Sequence, residues 1–207
     1  MKHLITILFL LTSVVLPIQS QTVNETKAKQ MLNKIAVDTK SIQCDFIQTK
    51  HLKMLNDKLV SKGKMFYQQG NKLHWEYTNP YQYTFILNNN QVLIRNNNHS
   101  DVIDVQQNKL FKEIARIMMN SVVGKCLNDE KDFKSSITDN SNEWIAQLLP
   151  LKKSMKQMFS NIELHFSKSN SMISKVIITE KNGDKTIIEL KNIKKNASIN
   201  SNIFQIN

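Results

Sequence analysis

The residues best equipped to act on another molecule in this chain are aromatic and sulfur-bearing, and their spacing suits a wall better than a catalytic centre. Leu73, Trp75 and Tyr77 alternate with Lys72, His74 and Glu76, so a strand here turns a large apolar face one way and charge the other. Phe46, Met65 and Tyr67 upstream, and Tyr83 and Phe85 beyond Pro80, continue the pattern. Ile114, Ile117 and Met118 fall on one helical stripe and Trp144 on a later strand. Such side chains offer dispersion contact without directionality, and Met adapts to the position of a flexible guest. That is the chemistry of keeping alkyl chains from water. Ordinary core packing is the competing reading at each position.

Groups that make and break bonds are scattered. The chain has no Gly-x-Ser-x-Gly elbow, Cys-x-x-Cys pair, His-Glu-x-x-His helix or glycine-rich phosphate loop, and holds only four glycines. His51, His74, His99 and His165 are isolated, and His74 and His165 fall on polar strand faces where solvated rings are expected. No enzyme, metal or cofactor is indicated. Cys44 is in phase with Ile42 and Phe46, which predicts a buried thiol; a disulfide to Cys126, the one other cysteine, is the alternative.

The elements that must position these residues are legible from periodicity. Ala28, Met31, Leu32, Ile35 and Ala36 predict an amphipathic helix over about 25–40, capped by Asn24. Strands follow at 42–54, 59–67, 73–77, 83–87 and 92–95, a polar turn spans Asn96 to Ser100, and a short strand surrounds Ile103 and Val105. Leu110, Phe111, Ile114, Ile117, Met118, Ser121 and Val122 predict a second amphipathic helix ended by Gly124. Strands resume near Phe133 and at Trp144–Leu148, stopped by Pro150; a helical turn at 154–159 precedes Ile162–Phe166. A hairpin of 173–179 and 185–191 closes the series, with Asn182 and Gly183 both expected at positive φ. About ten antiparallel strands sharing one core must curl, so the expected fold is mainly β (α+β): a half-barrel lidded by the amphipathic helices, with the Leu110–Val122 helix as lid. Space between sheet and lid would be an apolar cavity.

Residues 1–20 read as a cleaved export signal: Lys2 and His3, an apolar run from Leu4 to Leu16, then Pro17 and a small residue at Ser20. That run is shorter than the roughly 20 residues of a spanning helix. Residues 21–207 then form one expected domain. With 28 Lys and Arg against 17 Asp and Glu the chain is strongly basic. Export disfavours nucleic acid as the partner and leaves a membrane surface open.

The stretch from Phe46 to Tyr81 resembles the periplasmic outer-membrane lipoprotein carrier family, LolA. The resemblance rests on Phe46-Ile47-Gln48, on Gly63 before the alternation to Tyr67, on Leu73-x-Trp75-x-Tyr77 with Pro80 after it, and on a closing segment from Ile193 and Asn196 through Ile199 to Phe204. It implies a half-open barrel whose cavity takes lipoprotein acyl chains from an inner-membrane ABC transporter and passes them to an outer-membrane acceptor. It also implies a monomeric, periplasmic carrier in transient contact with membrane. A lipid sensor, or a carrier of another acylated product, would share the fold. The lipidated cysteine that opens the receptor LolB is missing here. Two departures stand out: the family's basic residue in the turn before the Trp strand corresponds to Gln69, with Lys72 nearby, and the strand after it is polar at its turn and aliphatic beyond.

Overall fold

The computed structural model describes residues 25–107, 116–117, 119–120, 123–128 and 130–206. The export signal, the Asn24 cap, and Ile114 and Met118 of the predicted lid lie outside these residues. Helix α1 (Glu25–Asp38) buries Ala28, Leu32 and Ala36, whereas Met31, expected on the same stripe, is exposed. Eleven strands follow: β1 (Ser41–Leu52), β2 (Asp57–Gln68), β3 (Lys72–Asn79), β4 (Tyr83–Asn88), β5 (Gln91–Asn96), β6 (His99–Asp104), β7 (Phe133–Asp139), β8 (Glu143–Pro150), β9 (Phe159–Ser167), β10 (Ile173–Glu180) and β11 (Lys185–Lys195). Helix α2 (Lys153–Met158) lies between β8 and β9.

All eleven join one unclosed, curled sheet in the order β6-β5-β4-β3-β2-β1-β11-β10-β9-β8-β7, antiparallel throughout. The first strand pairs with the last, which puts β1 at the centre and leaves β6 and β7 as edges. Strand β6 starts at His99, inside the stretch expected to be a turn. Backbone pairing of Arg95 with Ser100 and Ile94 with Asp101 does not require apolar side chains, and a polar edge resists further pairing.

The aromatic strand is set by its neighbours. Met65 opposes Trp75, and Trp75 opposes Phe85. Gly63 opposes Phe46, and a Cβ on it would stand 1.9 Å from the Glu76 carbonyl oxygen and 2.6 Å from the Phe46 ring. Glycine there lets the ring lie across the strand. The β10–β11 turn departs from expectation: Gly183 alone takes positive φ, and the Glu180 carbonyl accepts from the Gly183 N–H. The loop is therefore longer than a two-residue turn, and only Gly183 within it needs the left-handed region.

Apolar residues of the concave face and α1 form the main core, including Phe46, Leu73, Leu148 and Leu164. A smaller buried group, Ile86, Leu93 and Phe204, lies outside that core. The closing 3₁₀ turn (Ser201–Phe204) packs on β3 and β4, where the Ile203 carbonyl lies 2.7 Å from His74 Nδ1 and the Phe204 carbonyl accepts from Asn88. His74 is thus largely covered rather than solvated. His165 also departs from expectation: it is buried, with Glu143 3.1 Å from Nδ1 and Glu163 3.9 Å from Nε2. Both rings sit on the polar face, but tertiary neighbours close over them. Among the described residues no helix is long and apolar enough to cross a membrane.

Candidate functional site

Between the two halves of the curled sheet lies a cavity of about 330 Å³, within the range of small-molecule sites. One wall comes from β2, β3 and β4 through Met65, Trp75, Tyr77, Tyr83 and Phe85. The opposite wall comes from β9, β10 and β11: Phe159, Ile162, Ile173, Val176, Ile178, Ile188 and Leu190. Ile117, on the helical segment, closes one side. Alternation puts these side chains inward, because each wall strand presents every second residue to the concave face.

The aromatic wall is a packed array. Phe46 lies under Trp75 with ring centroids 4.2 Å apart and planes at 29°, and meets Tyr77 edge-on at 5.2 Å. Tyr77 also approaches Tyr81 at 5.6 Å and Tyr83 at 6.0 Å. Such pairs stiffen one another, so the wall is preorganised. Polar lining is sparse: the Tyr77 hydroxyl donates to Gln48 Oε1 at 2.9 Å, and Thr186 adds a second small polar group. Burial raises the Tyr77 hydroxyl pKa above its ordinary value of 10.0, so it stays a neutral donor at physiological pH. A water-excluding pocket with few hydrogen-bonding groups selects for alkyl character and discriminates little among chains.

Ile117 is held by its neighbour. Arg116 forms an ion pair with Asp132, and Lys152 Nζ lies 2.7 Å from the other carboxylate oxygen. Asp132 is 2% exposed and its two partners are partly solvated. A buried carboxylate thus pins the helical segment to the strand that follows it. No motif in the sequence points to this cluster.

Six of the twelve residues predicted from sequence line the cavity: Met65, Trp75, Tyr77, Tyr83, Phe85 and Ile117. Phe46 lies one layer deeper, as the support of Trp75. Tyr67 and Leu73 oppose one another two rungs beyond Met65 and Trp75, in the part of the concave face occupied by the packed core. Trp144 packs on that core outside the cavity, with Lys168 Nζ 5.8 Å above its ring. The whole β9–β11 wall was absent from the sequence-derived set. Its signal was present as the Val176-Ile178 and Ile188-Leu190 alternation, but a hairpin read alone does not show which face turns inward. Gln69 is exposed in the β2–β3 turn, where its N–H donates to the Lys40 carbonyl.

Cys44 is a free, buried thiol, and burial, with a smaller push from Asp45, raises its pKa to about 12. The side chain of Cys126 lies outside the described residues. Among the described residues no group of three His, Cys, Asp or Glu could hold a metal ion.

The family model described as "Outer membrane lipoprotein carrier protein LolA" matches residues 37–207. The chain belongs to the LolA family. Comparison with curated proteins finds no sequence match. An uncharacterized conserved protein from Thermus thermophilus superposes with a TM-score of 0.53 at 8% identity, covering 86% of this chain and 93% of that one. MucB of Pseudomonas aeruginosa, in its complex with MucA, gives 0.52 at 11% identity and covers 86% and 60%. A LolA superfamily protein from Nitrosomonas europaea gives 0.48 at 9% identity, covering 87% and 97%. At such identities the likeness is one of fold.

Proposed function

We propose that this LolA-family protein is a periplasmic carrier that shields lipoprotein acyl chains in the cavity between Trp75 and Val176 and moves them from an inner-membrane transporter to an outer-membrane acceptor. The observation that carries the reading is the cavity itself: an apolar space walled by aromatic side chains on one side and aliphatic ones on the other, in a family described by lipoprotein carriage. Burying an alkyl chain is worth about 0.8 kcal/mol per methylene, so a chain of some 14 methylenes gains on the order of 11 kcal/mol before ordering costs. A guest held that strongly leaves only for a comparably apolar site. Handover is a relay between hydrophobic sites, and the protein needs no bond chemistry. The export signal read at residues 1–20 and the basic surface agree with a secreted protein working beside membranes.

The test is native purification from the periplasm, solvent extraction and mass spectrometry of the extract, together with release of lipoprotein from inner-membrane vesicles. Acylated species in the extract and soluble lipoprotein in the release assay are expected. Trp75→Glu, which puts a carboxylate into the wall, should abolish both. An extract without acylated species, with no release, would overturn the carrier reading.

A further inference from the structure

The β1–β2 hairpin extends past β3. Strand β3 pairs with β2 only from Lys62 onward, so among the described residues Asp57 to Ser61 have β1 on one side and no strand on the other. On this projecting hairpin Met54 is 91% exposed, Leu55 71%, Leu59 54% and Val60 42%. These are four of the ten large apolar residues that the described chain leaves exposed, gathered within seven positions. Isolated apolar side chains on a surface are ordinary; a cluster at the tip of a protruding hairpin is not.

Beside the tip an open groove of about 830 Å³ runs between this hairpin and the β10–β11 turn. The two turns are fixed to each other, since the Lys53 N–H donates to Asp184 at 2.9 Å and the Lys53 side chain lies over Gly183. His51, Lys53, Lys58 and Lys185 line the groove against the single carboxylate of Asp57. Among the described residues the three lysines form no ion pair with a carboxylate, whereas Lys50 nearby is taken by Glu180. Apolar side chains at a tip and a basic groove behind it match the two layers of a bilayer surface: acyl chains below, anionic phosphates above, with lysine stems spanning between. The cavity approaches the same end of the sheet. Gln48 precedes the end of β1 by four residues, about 14 Å of strand, and Thr186 of the opposite wall opposes Lys50.

We propose that the β1–β2 hairpin is a membrane-docking element, inserting Met54 and Leu55 among the acyl chains of an anionic phospholipid surface while Lys53, Lys58 and Lys185 hold the headgroup phosphates. Its purpose, to bring the cavity mouth to a bilayer, rests on the carrier reading; the docking itself does not.

The experiment is sedimentation of the cargo-free protein with vesicles of equal parts phosphatidylglycerol and phosphatidylcholine, and with phosphatidylcholine alone. Binding to the anionic vesicles that fades with added salt is expected. Met54→Asp with Leu55→Asp should lower partitioning by about tenfold or more, and Lys53→Glu with Lys58→Glu by a similar factor. Leu55→Trp supplies a readout that needs no loss of binding: its added fluorescence should shift to the blue with anionic vesicles. Vesicle binding unaffected by the tip substitutions, or no binding by the unaltered protein, overturns the proposal. So does concentration-dependent self-association abolished by the same substitutions without vesicle binding, which would assign the tip to a second copy. Tip-dependent vesicle binding by a protein that yields no acylated species would sink the carrier reading and leave docking standing.

Discussion

Replacing Val176 by tryptophan separates a cavity from a core. Val176 sits on β10 between Leu164 and Ile188 and faces the aromatic wall across about 330 Å³ of space. A larger ring there has room, so the folded state should lose no more than about 1 kcal/mol, less than the ~1–3 kcal/mol that overpacking a filled site costs. The control is Ala146→Phe on β8, where the side chain is 0% exposed within the packed core and that larger cost applies. Cargo binding should respond in reverse. If the indole takes the room of about four methylenes, at ~0.8 kcal/mol each, about 3 kcal/mol of binding is lost, or roughly a hundredfold in Kd. Urea unfolding of the two variants and titration with a fluorescent long-chain fatty acid measure both quantities. If Val176→Trp proves as destabilising as Ala146→Phe, or binds the fatty acid as well as the unaltered protein does, then the space between the walls is not where an acyl chain goes.

Three other expectations follow from particular contacts. Gly63→Ala should destabilise the protein by at least ~1–3 kcal/mol and lower loading, because its methyl group meets the Glu76 carbonyl and the Phe46 ring that supports Trp75; thermal melting and the fatty-acid titration check it. Asp132→Asn should speed amide hydrogen exchange in the helical residues around Ile117 more than elsewhere, at a global cost of about 1–2 kcal/mol, since Arg116 and Lys152 are partly solvated and can regain water; exchange mass spectrometry with unchanged rates there would refute the pinning role. Cys44, with its thiol raised to about 12, should resist alkylation at pH 8 in a Cys126→Ser background until the protein is unfolded. Tyr67 and Tyr77 also titrate above the ordinary 10.0, so alkali removes protons first from the unfolded chain. Stability should hold below pH 10 and fall as pH rises through the folded-state values, as chemical denaturation across that range would show.

The sequence by itself determined the strands and the kind of wall they make. Alternation at Leu73-Trp75-Tyr77 and at Ile162-Leu164-Phe166 depends only on neighbours along the chain, and the pleat converts it into faces without further information. Helix α1 was equally readable, although Met31 shows that a stripe broader than the available groove leaves one member in solvent. Tertiary structure decided which inward residues are wall and which are filling. Tyr67 and Trp75 share one pattern and one face. Both belong to the buried core, yet Trp75 sits at the margin of the cavity and Tyr67 two rungs away from it, so of the two only Trp75 meets open space. The second wall depends on β11 closing against β1 across more than a hundred residues of chain, and the Arg116–Asp132–Lys152 cluster depends on three separate elements meeting. Contacts of that separation leave no periodicity along the chain, which is why the holding surface could be half read from the sequence and its closure could not.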